Sequence, residues 1–207
     1  ELCVDGSLTT YLTNQETKKP RHMTLSEAAA ALKQILEATA YLHSIGIVHR
    51  DIKPDNILLN EGKMKIADFG TAAKVGPQKL SDISGTMKYM APEIWAGIDY
   101  AYPRDIWSIG IVFLEMIGKQ PFWLKNCTNL SLNAYYYDIG EDKNVVLPTD
   151  LTGDARDFAR CCLQTKQVNR PTGTTLLNSP FIVSYTSNKA TPNFSRTAAR
   201  HNSSKSR

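Results

Sequence analysis

The chain has 207 residues, of which 42% are apolar and 21% charged, as in ordinary globular proteins. No apolar run reaches the roughly 18 residues that a membrane-spanning helix needs. The net charge is +4, but the segment after Ser184 contains five basic residues and no acidic residue. The rest of the chain therefore carries about −1, which argues against a nucleic-acid-binding fold surface. This composition predicts a folded domain over residues 1–183 and a basic, disordered tail over 184–207.

The four cysteines include no C-x-x-C pair, so a zinc site is not expected. Free thiols are typical of proteins in a reducing compartment, which favours a cytoplasmic location.

In chain order, the first predicted element is a long amphipathic helix. Thr24 and Glu27 form a capping-box pattern, and apolar residues follow at helical spacing until Gly46. The helix leads to the string "HRDIKPDN", which spans residues 49–56. After it, "NILL" and "KMKIA" flank Asn60-Glu61-Gly62 and predict a β-hairpin. Residues 68–91 show no periodicity, and a loop of that length is usually functional. Helical patterns return from Asp105 onward.

Four polar residues around the hairpin suggest a chemistry. Asp68 follows the second strand, and a hairpin returns that strand to the start of the first, where Asn56 lies. One amide oxygen and one carboxylate are hard ligands suited to Mg²⁺ held against phosphate. Asp51 can accept a proton from an attacking hydroxyl, and Lys53 adds positive charge beside a transferring phosphoryl group. The spacing predicts metal-assisted phosphoryl transfer.

Five short strings in order resemble the motifs of eukaryotic protein kinases. They are "HRDIKPDN", "DFG" at 68–70, "APE" at 91–93, "DIWSIG" at 105–110, and the arginine of "NRPT". The resemblance covers residues 1–182. It implies an α+β protein-kinase-like fold, with a mainly helical large lobe and a small β-hairpin, and ATP and Mg²⁺ as cofactors. It also implies that Asp51 and Lys53 are catalytic and that Asn56 and Asp68 bind the metal.

The resemblance implies structural roles for five further residues. His49 is expected to pack against Phe69 in a spine of stacked side chains. Asp105 is expected to cap the backbone of the loop that contains Asp51. Glu93 and Arg170 are expected to form a buried ion pair.

The resemblance also points to regulation of the long loop, the activation segment, by charge. In related kinases the residue three before the "GT" of this segment is often phosphorylated, and its phosphate pairs with the arginine that is Arg50 here. Asp82 occupies that position, with Ser81 and Ser84 on either side. Either Asp82 faces Arg50 and holds the segment partly ordered, or Ser81 or Ser84 is the phosphorylated switch. Both alternatives stay open.

The serine/threonine subclass is indicated by Lys53 and Thr86, which in such kinases bond each other and the residue equivalent to Asp51. The strings "ADFGTA", "GTMKYMAPEI" and "AYYYDIG" resemble the sterile-family kinases of mitogen-activated protein kinase cascades. The implied partner is a protein with a serine or threonine acceptor, with a downstream kinase of such a cascade as a candidate. No nucleic-acid partner is expected.

The smaller lobe of the kinase fold is expected to be missing, because the chain has no G-x-G-x-x-G string and no V-A-I-K-type lysine. The opening "ELCVDGSL" resembles the hinge between the lobes. Glu1 and Cys3 would then face adenine, Ser7 would lie near the ribose, and Leu58 would lie beneath the base. The chain alone is expected to be nearly inactive. The alternative is a non-catalytic docking module or pseudokinase that keeps only the large lobe.

Overall fold

The computed structural model describes residues 3–76, 83–97, 101–120, 145–187 and 194. Within these ranges the fold is mainly helical, with two small antiparallel sheets. The helices are α1 (Leu8–Tyr11), α2 (Leu25–Ser44), α3 (Pro92–Trp95), α4 (Pro103–Met116), α5 (Gly153–Cys162), α6 (Gly173–Leu177) and α7 (Pro180–Thr186). The strands are β1 (Ile47–Val48), β2 (Ile57–Asn60), β3 (Lys63–Ile66) and β4 (Ala73–Lys74).

Helix α2 begins at the predicted capping box. The backbone N–H of Glu27 donates to Thr24 Oγ1 at 3.2 Å, and the backbone N–H of Thr24 donates to Glu27 Oε2 at 2.8 Å. The helix buries an alanine-rich face and ends one residue before Ile45. The prediction of this helix is confirmed, and its end directs the chain into β1 and the loop that follows.

Helix α4 lies at the centre of the core. Every residue from Arg104 to Leu114 is buried, as expected for a helix surrounded by other elements. At one end of the core the rings of Phe113, Phe158 and Phe181 pack with centroids 5.1–5.3 Å apart, which ties α4 to α5 and α7. No helix in the described ranges is both long enough and apolar enough to cross a membrane.

The two sheets frame the loop between β1 and β2. Strands β2 and β3 form the predicted hairpin, in which Ile57 pairs with Ile66. Its two turn residues, Glu61 and Gly62, have φ angles of 51° and 76°, which matches a tight two-residue hairpin turn. Strands β1 and β4 also pair. They were not predicted, because two-residue strands are too short to show a period.

The predicted tail begins too early. Helix α7 continues to Thr186, three residues past the predicted domain end. Phe194 lies within the predicted disordered tail, yet it is fully buried and packs edge-on against Tyr11 with a centroid separation of 5.9 Å. The prediction rested on the average composition of the segment, and an average overlooks a single aromatic residue that has a site on the folded domain.

Candidate functional site

The loop from His49 to Asn56 is fixed by the buried first turn of α4. The Asp105 carboxylate accepts hydrogen bonds from the backbone N–H groups of His49 and Arg50, both at 2.9 Å, and contacts His43 Nε2 at the same distance. Arg50 has a φ of 73°, a left-handed conformation that is strained for a residue with a side chain. The bond from its N–H to Asp105 helps to hold this conformation.

Asp51 lies at the centre of a small polar network. Lys53 Nζ is 2.8 Å from Asp51 Oδ2, and the backbone N–H of Thr86 donates to Asp51 Oδ1 at 2.8 Å. Lys53 Nζ also donates to Thr86 Oγ1 at 2.7 Å, which closes a triangle. Asn56 Nδ2 donates to the backbone oxygen of Asp51 at 2.9 Å and to its Oδ2 at 3.2 Å. The structure thus joins the loop to a residue 35 positions further along the chain.

The network controls the charge of Asp51. Burial raises the pKa of this carboxyl, but the hydrogen bonds from Lys53 and Thr86 and the positive charge of Lys53 outweigh burial, so the pKa lies below its usual range. Asp51 is therefore ionised at neutral pH. An ionised carboxylate can only accept hydrogen bonds, so it can take a proton from a nearby hydroxyl.

The hairpin brings Asn56 and Asp68 to the same end of the sheet. The backbone N–H of Ala67 donates to the backbone oxygen of Asn56 at 2.9 Å, and Asp68 is the next residue. Asp68 has a left-handed backbone with φ 60°, and its Oδ1 accepts from the N–H of Gly70 at 3.2 Å.

These two side chains fit a magnesium ion that is shared with phosphate. Both side-chain hydrogen bonds of Asn56 are made through Nδ2, so its amide oxygen keeps its lone pairs, as does Asp68 Oδ2. No group of three or more His, Cys, Asp or Glu side chains in the described part of the chain could hold a metal alone. An ion here would need further oxygen ligands from phosphate, which is the usual arrangement for Mg²⁺.

A family model described as "Protein kinase domain" matches residues 1–182. The chain belongs to this family. It is 38% identical over 152 residues to mitogen-activated protein kinase kinase kinase 17 of Arabidopsis thaliana, covering 72% of this chain and 41% of that protein. It is 36% identical over 185 residues to serine/threonine-protein kinase PAK 1 of Mus musculus, covering 88% of this chain and 32% of that protein. It is 35% identical over 181 residues to serine/threonine-protein kinase STE20 of Debaryomyces hansenii, covering 86% and 16%.

The predicted similarity to sterile-family serine/threonine kinases is confirmed by these relatives. The chain spans less than half of the length of each of the three.

In this kinase domain His49 contacts Phe69, as the family resemblance implied. His49 Nδ1 accepts from the N–H of Asp51 at 3.3 Å, so its Nε2 carries the proton and donates to the oxygen of Ala67 at 3.0 Å. The His49 ring meets Phe69 edge-on at a centroid distance of 5.1 Å. His49 is buried, whereas Phe69 is 49% exposed, so only one face of Phe69 is packed.

The kinase domain also pairs Glu93 at the start of α3 with Arg170. The two side chains form a two-point ion pair, with distances of 2.5 Å from Nη1 to Oε1 and 2.6 Å from Nη2 to Oε2. Arg170 also stacks over the ring of Trp107 at 4.9 Å. This pair links the segment that ends in "APE" to the central helix.

Several residues expected at the nucleotide site and in regulation lie outside the described residues, namely Glu1, Ser81 and Asp82. Cys3 is partly exposed. Ser7 caps α1 through a bond from the N–H of Thr10 at 3.3 Å, and its backbone bridges that of Leu58. The structure therefore brings Ser7 and Leu58 together beside the hairpin.

Two residues that sequence reasoning did not select, Thr71 and Arg104, join the activation segment to the loop of Asp51. Arg50 Nε donates to the backbone oxygen of Thr71, and Thr71 Oγ1 donates to the oxygen of His49 at 3.1 Å. Arg104 Nη2 donates to the backbone oxygens of Arg50 and Ser84. The available signal for Arg104 was a second charged residue directly before Asp105 in a mainly apolar helix.

Proposed function

We propose that this kinase domain transfers the γ-phosphoryl group of ATP to a serine or threonine hydroxyl of a protein substrate. The observation that carries the proposal is the network in which Asp51, held ionised by Lys53 and Thr86, presents a carboxylate beside the metal-ligand pair.

In the proposed mechanism Asp51 accepts the proton of the attacking hydroxyl, and Lys53 adds positive charge beside the group that is transferred. Asn56 and Asp68 would hold Mg²⁺ through their free oxygens. When bound, ATP·Mg supplies the phosphoryl group and the metal charge that neutralises it.

The preference for serine or threonine is supported by the triangle of Asp51, Lys53 and Thr86. Lys53 Nζ and Thr86 Oγ1 bond each other at 2.7 Å, which narrows the space beside the carboxylate. A short hydroxyl side chain can reach Asp51 there, whereas a tyrosine needs more room. Because the relative from Arabidopsis thaliana is named a mitogen-activated protein kinase kinase kinase, we include a downstream kinase of such a cascade among the proposed substrates.

Only some of the residues that a kinase uses to bind ATP are found in this sequence. Ser7 and Leu58 are proposed to lie along the ribose and adenine, and the backbone of Cys3 is proposed to face the base. The 207 residues contain no G-x-G-x-x-G string to cover the phosphates. We therefore propose that they form a large kinase lobe and that they bind ATP weakly by themselves.

The three described cysteines are free thiols, which supports a location in the cytoplasm.

Two substitutions in the full-length protein test the proposal. Asp51→Asn should reduce kcat by about 10²–10⁴-fold, the usual contribution of a general base, while ATP binding stays near wild type. Asp68→Ala should instead lose Mg²⁺-dependent nucleotide binding, because a ligand oxygen is gone. Asp157→Asn is the matched control, since that carboxylate lies on the exposed surface of α5. Wild-type turnover by the Asp51 variant on a serine peptide would refute the proposal.

A further inference from the structure

Arg104 and Asp105 hold the peptide groups of one strained residue, Arg50. The N–H of Arg50 donates to Asp105 Oδ1 at 2.9 Å, and its carbonyl oxygen accepts from Arg104 Nη2 at 3.2 Å. Arg50 has a φ of 73°, so its peptide groups point in directions that a relaxed backbone would not give them. The first turn of α4 therefore fixes where the carbonyl of Arg50 points.

The same nitrogen of Arg104 reaches the activation segment. Nη2 donates to the backbone oxygen of Ser84 at 2.5 Å, so one guanidinium nitrogen bridges two carbonyls that are 34 residues apart in the chain. Gly85 lies directly against the bridge. A Cβ at Gly85 would come within 2.4 Å of the Arg50 oxygen, so the two segments are in close contact at this position.

The bridge lies next to the groups that are proposed to act on substrate. Thr86 follows Gly85, and its N–H donates to Asp51 Oδ1. Asp51 in turn follows Arg50. Arg50 is thus one residue before Asp51, and Ser84 is two residues before Thr86. The bridge joins the two segments next to the hydrogen bond between Asp51 and Thr86.

We propose that Arg104 is a positioning residue, which holds residues 84–86 against the loop of Asp51 so that Thr86 and Lys53 remain aligned on the carboxylate. The inference rests on the proposed kinase function, for which it names a further residue. The hold acts through backbone carbonyls, so it needs no phosphate and no particular side chain at position 84.

Arginine suits this role better than another long residue would. Only 3% of Arg104 is exposed, so water does not compete with the two carbonyls for the donors of Nη2. A guanidinium nitrogen carries two N–H donors in fixed directions, which is what two separate carbonyls require. The hydroxyl oxygen of Ser84 is also buried, so a modifying enzyme could reach it only after this contact opens.

The test compares three variants of the full-length protein. Arg104→Met keeps the length of the side chain and removes the donors, and Arg104→Lys restores a single charged donor group. Arg160→Met is the matched control, because Arg160 has a 58% exposed side chain on α5. Amide hydrogen exchange is followed on the peptide that contains residues 84–87 and on a peptide from α2, and steady-state kinetics are measured with ATP and a serine peptide.

In Arg104→Met the amide of Thr86 should exchange about tenfold faster, while α2 keeps its wild-type protection, because the loss is local. The kcat should fall by about tenfold, with the KM for ATP within about twofold of wild type. Arg104→Lys should lie between Arg104→Met and wild type in both measurements, and Arg160→Met should match wild type.

Wild-type exchange at Thr86 in Arg104→Met would overturn the inference. Equal acceleration in α2 would also overturn it, since that result indicates a general loss of stability. If Arg104→Met does not fold, Arg104→Lys decides, because wild-type exchange and kcat in that variant would show that the double contact is not needed. The exchange measurement needs no catalysis. Absence of kinase activity in the wild-type protein would therefore refute the proposed function, while the exchange at Thr86 would still decide the role of Arg104.

Discussion

Replacing Glu93 by glutamine should destabilise the domain strongly, although the change is nearly isosteric. The side chain of Arg170 is fully buried and that of Glu93 is 3% exposed, and the two groups share two short hydrogen bonds. Glutamine removes the negative charge and leaves the guanidinium with neutral partners. These are the backbone oxygens of Gln164 at 2.7 Å, Pro103 at 3.2 Å and Thr165 at 3.3 Å.

The expected size follows from this burial. Removing one member of a buried ion pair leaves an uncompensated charge and costs about 3–5 kcal/mol. Exposed pairs are worth only about 0–1 kcal/mol, because water screens them. The pair of Arg160 with Asp157 is of that kind, with side chains 58% and 69% exposed and a separation of 3.7 Å. Asp157→Asn is therefore the control for Glu93→Gln.

Urea unfolding of the three proteins, followed by far-ultraviolet circular dichroism, gives the free energies of unfolding. Glu93→Gln should lower this free energy by several kcal/mol at an unchanged denaturant slope, and Asp157→Asn should leave it nearly unchanged. If the two variants lose the same small amount, the burial argument is wrong.

Three further outcomes are expected. Phe194→Ala should lower stability by up to about 3–5 kcal/mol, the usual range for a buried phenylalanine, whereas a freely disordered tail predicts no change in the thermal midpoint. Iodoacetamide at pH 8 should label Cys161 and spare Cys162, because burial raises the pKa of the Cys162 thiol and blocks access; mass spectrometry of the alkylated peptide decides. Gly110→Ala should cost about 1–3 kcal/mol in urea unfolding, since the new methyl would meet the Cys162 Cβ at 2.7 Å; unchanged stability would mean that α4 and α5 can separate freely.

The parts of the fold that the sequence predicted are those encoded by local pattern. Helix α2 has its capping box and its apolar face within 20 residues, and the β2–β3 hairpin has its turn between two short apolar runs. The pairing of Ile47 with Lys74 carries no such pattern, because two residues per strand show no alternation. Phe194 was missed for a related reason, since its partner Tyr11 lies at the other end of the chain.

The candidate site divides in the same way. The approach of Asn56 to Asp68 follows from the hairpin between them, so the sequence alone indicated it. The bond of Thr86 to Asp51 spans 35 residues of irregular chain and was expected only through the family resemblance. Arg104 was not expected at all, because its partners are backbone oxygens, and a carbonyl leaves no mark in the sequence of its own residue.

The backbone strain at the site favours catalysis over the alternative of a docking module. Four described residues other than glycine have positive φ, and two of them, Lys18 and Glu61, lie in tight turns that require it. The other two, Arg50 and Asp68, lie beside Asp51 and Asn56. A left-handed residue with a side chain costs about 1–2 kcal/mol, and here Asp105 and the N–H of Gly70 provide compensating bonds. A surface that only docks a partner gains nothing from this strain or from an ionised, buried Asp51. A catalytic site does benefit, because it must orient a proton acceptor and a metal ligand toward the same phosphoryl group. Strained residues cluster at such sites.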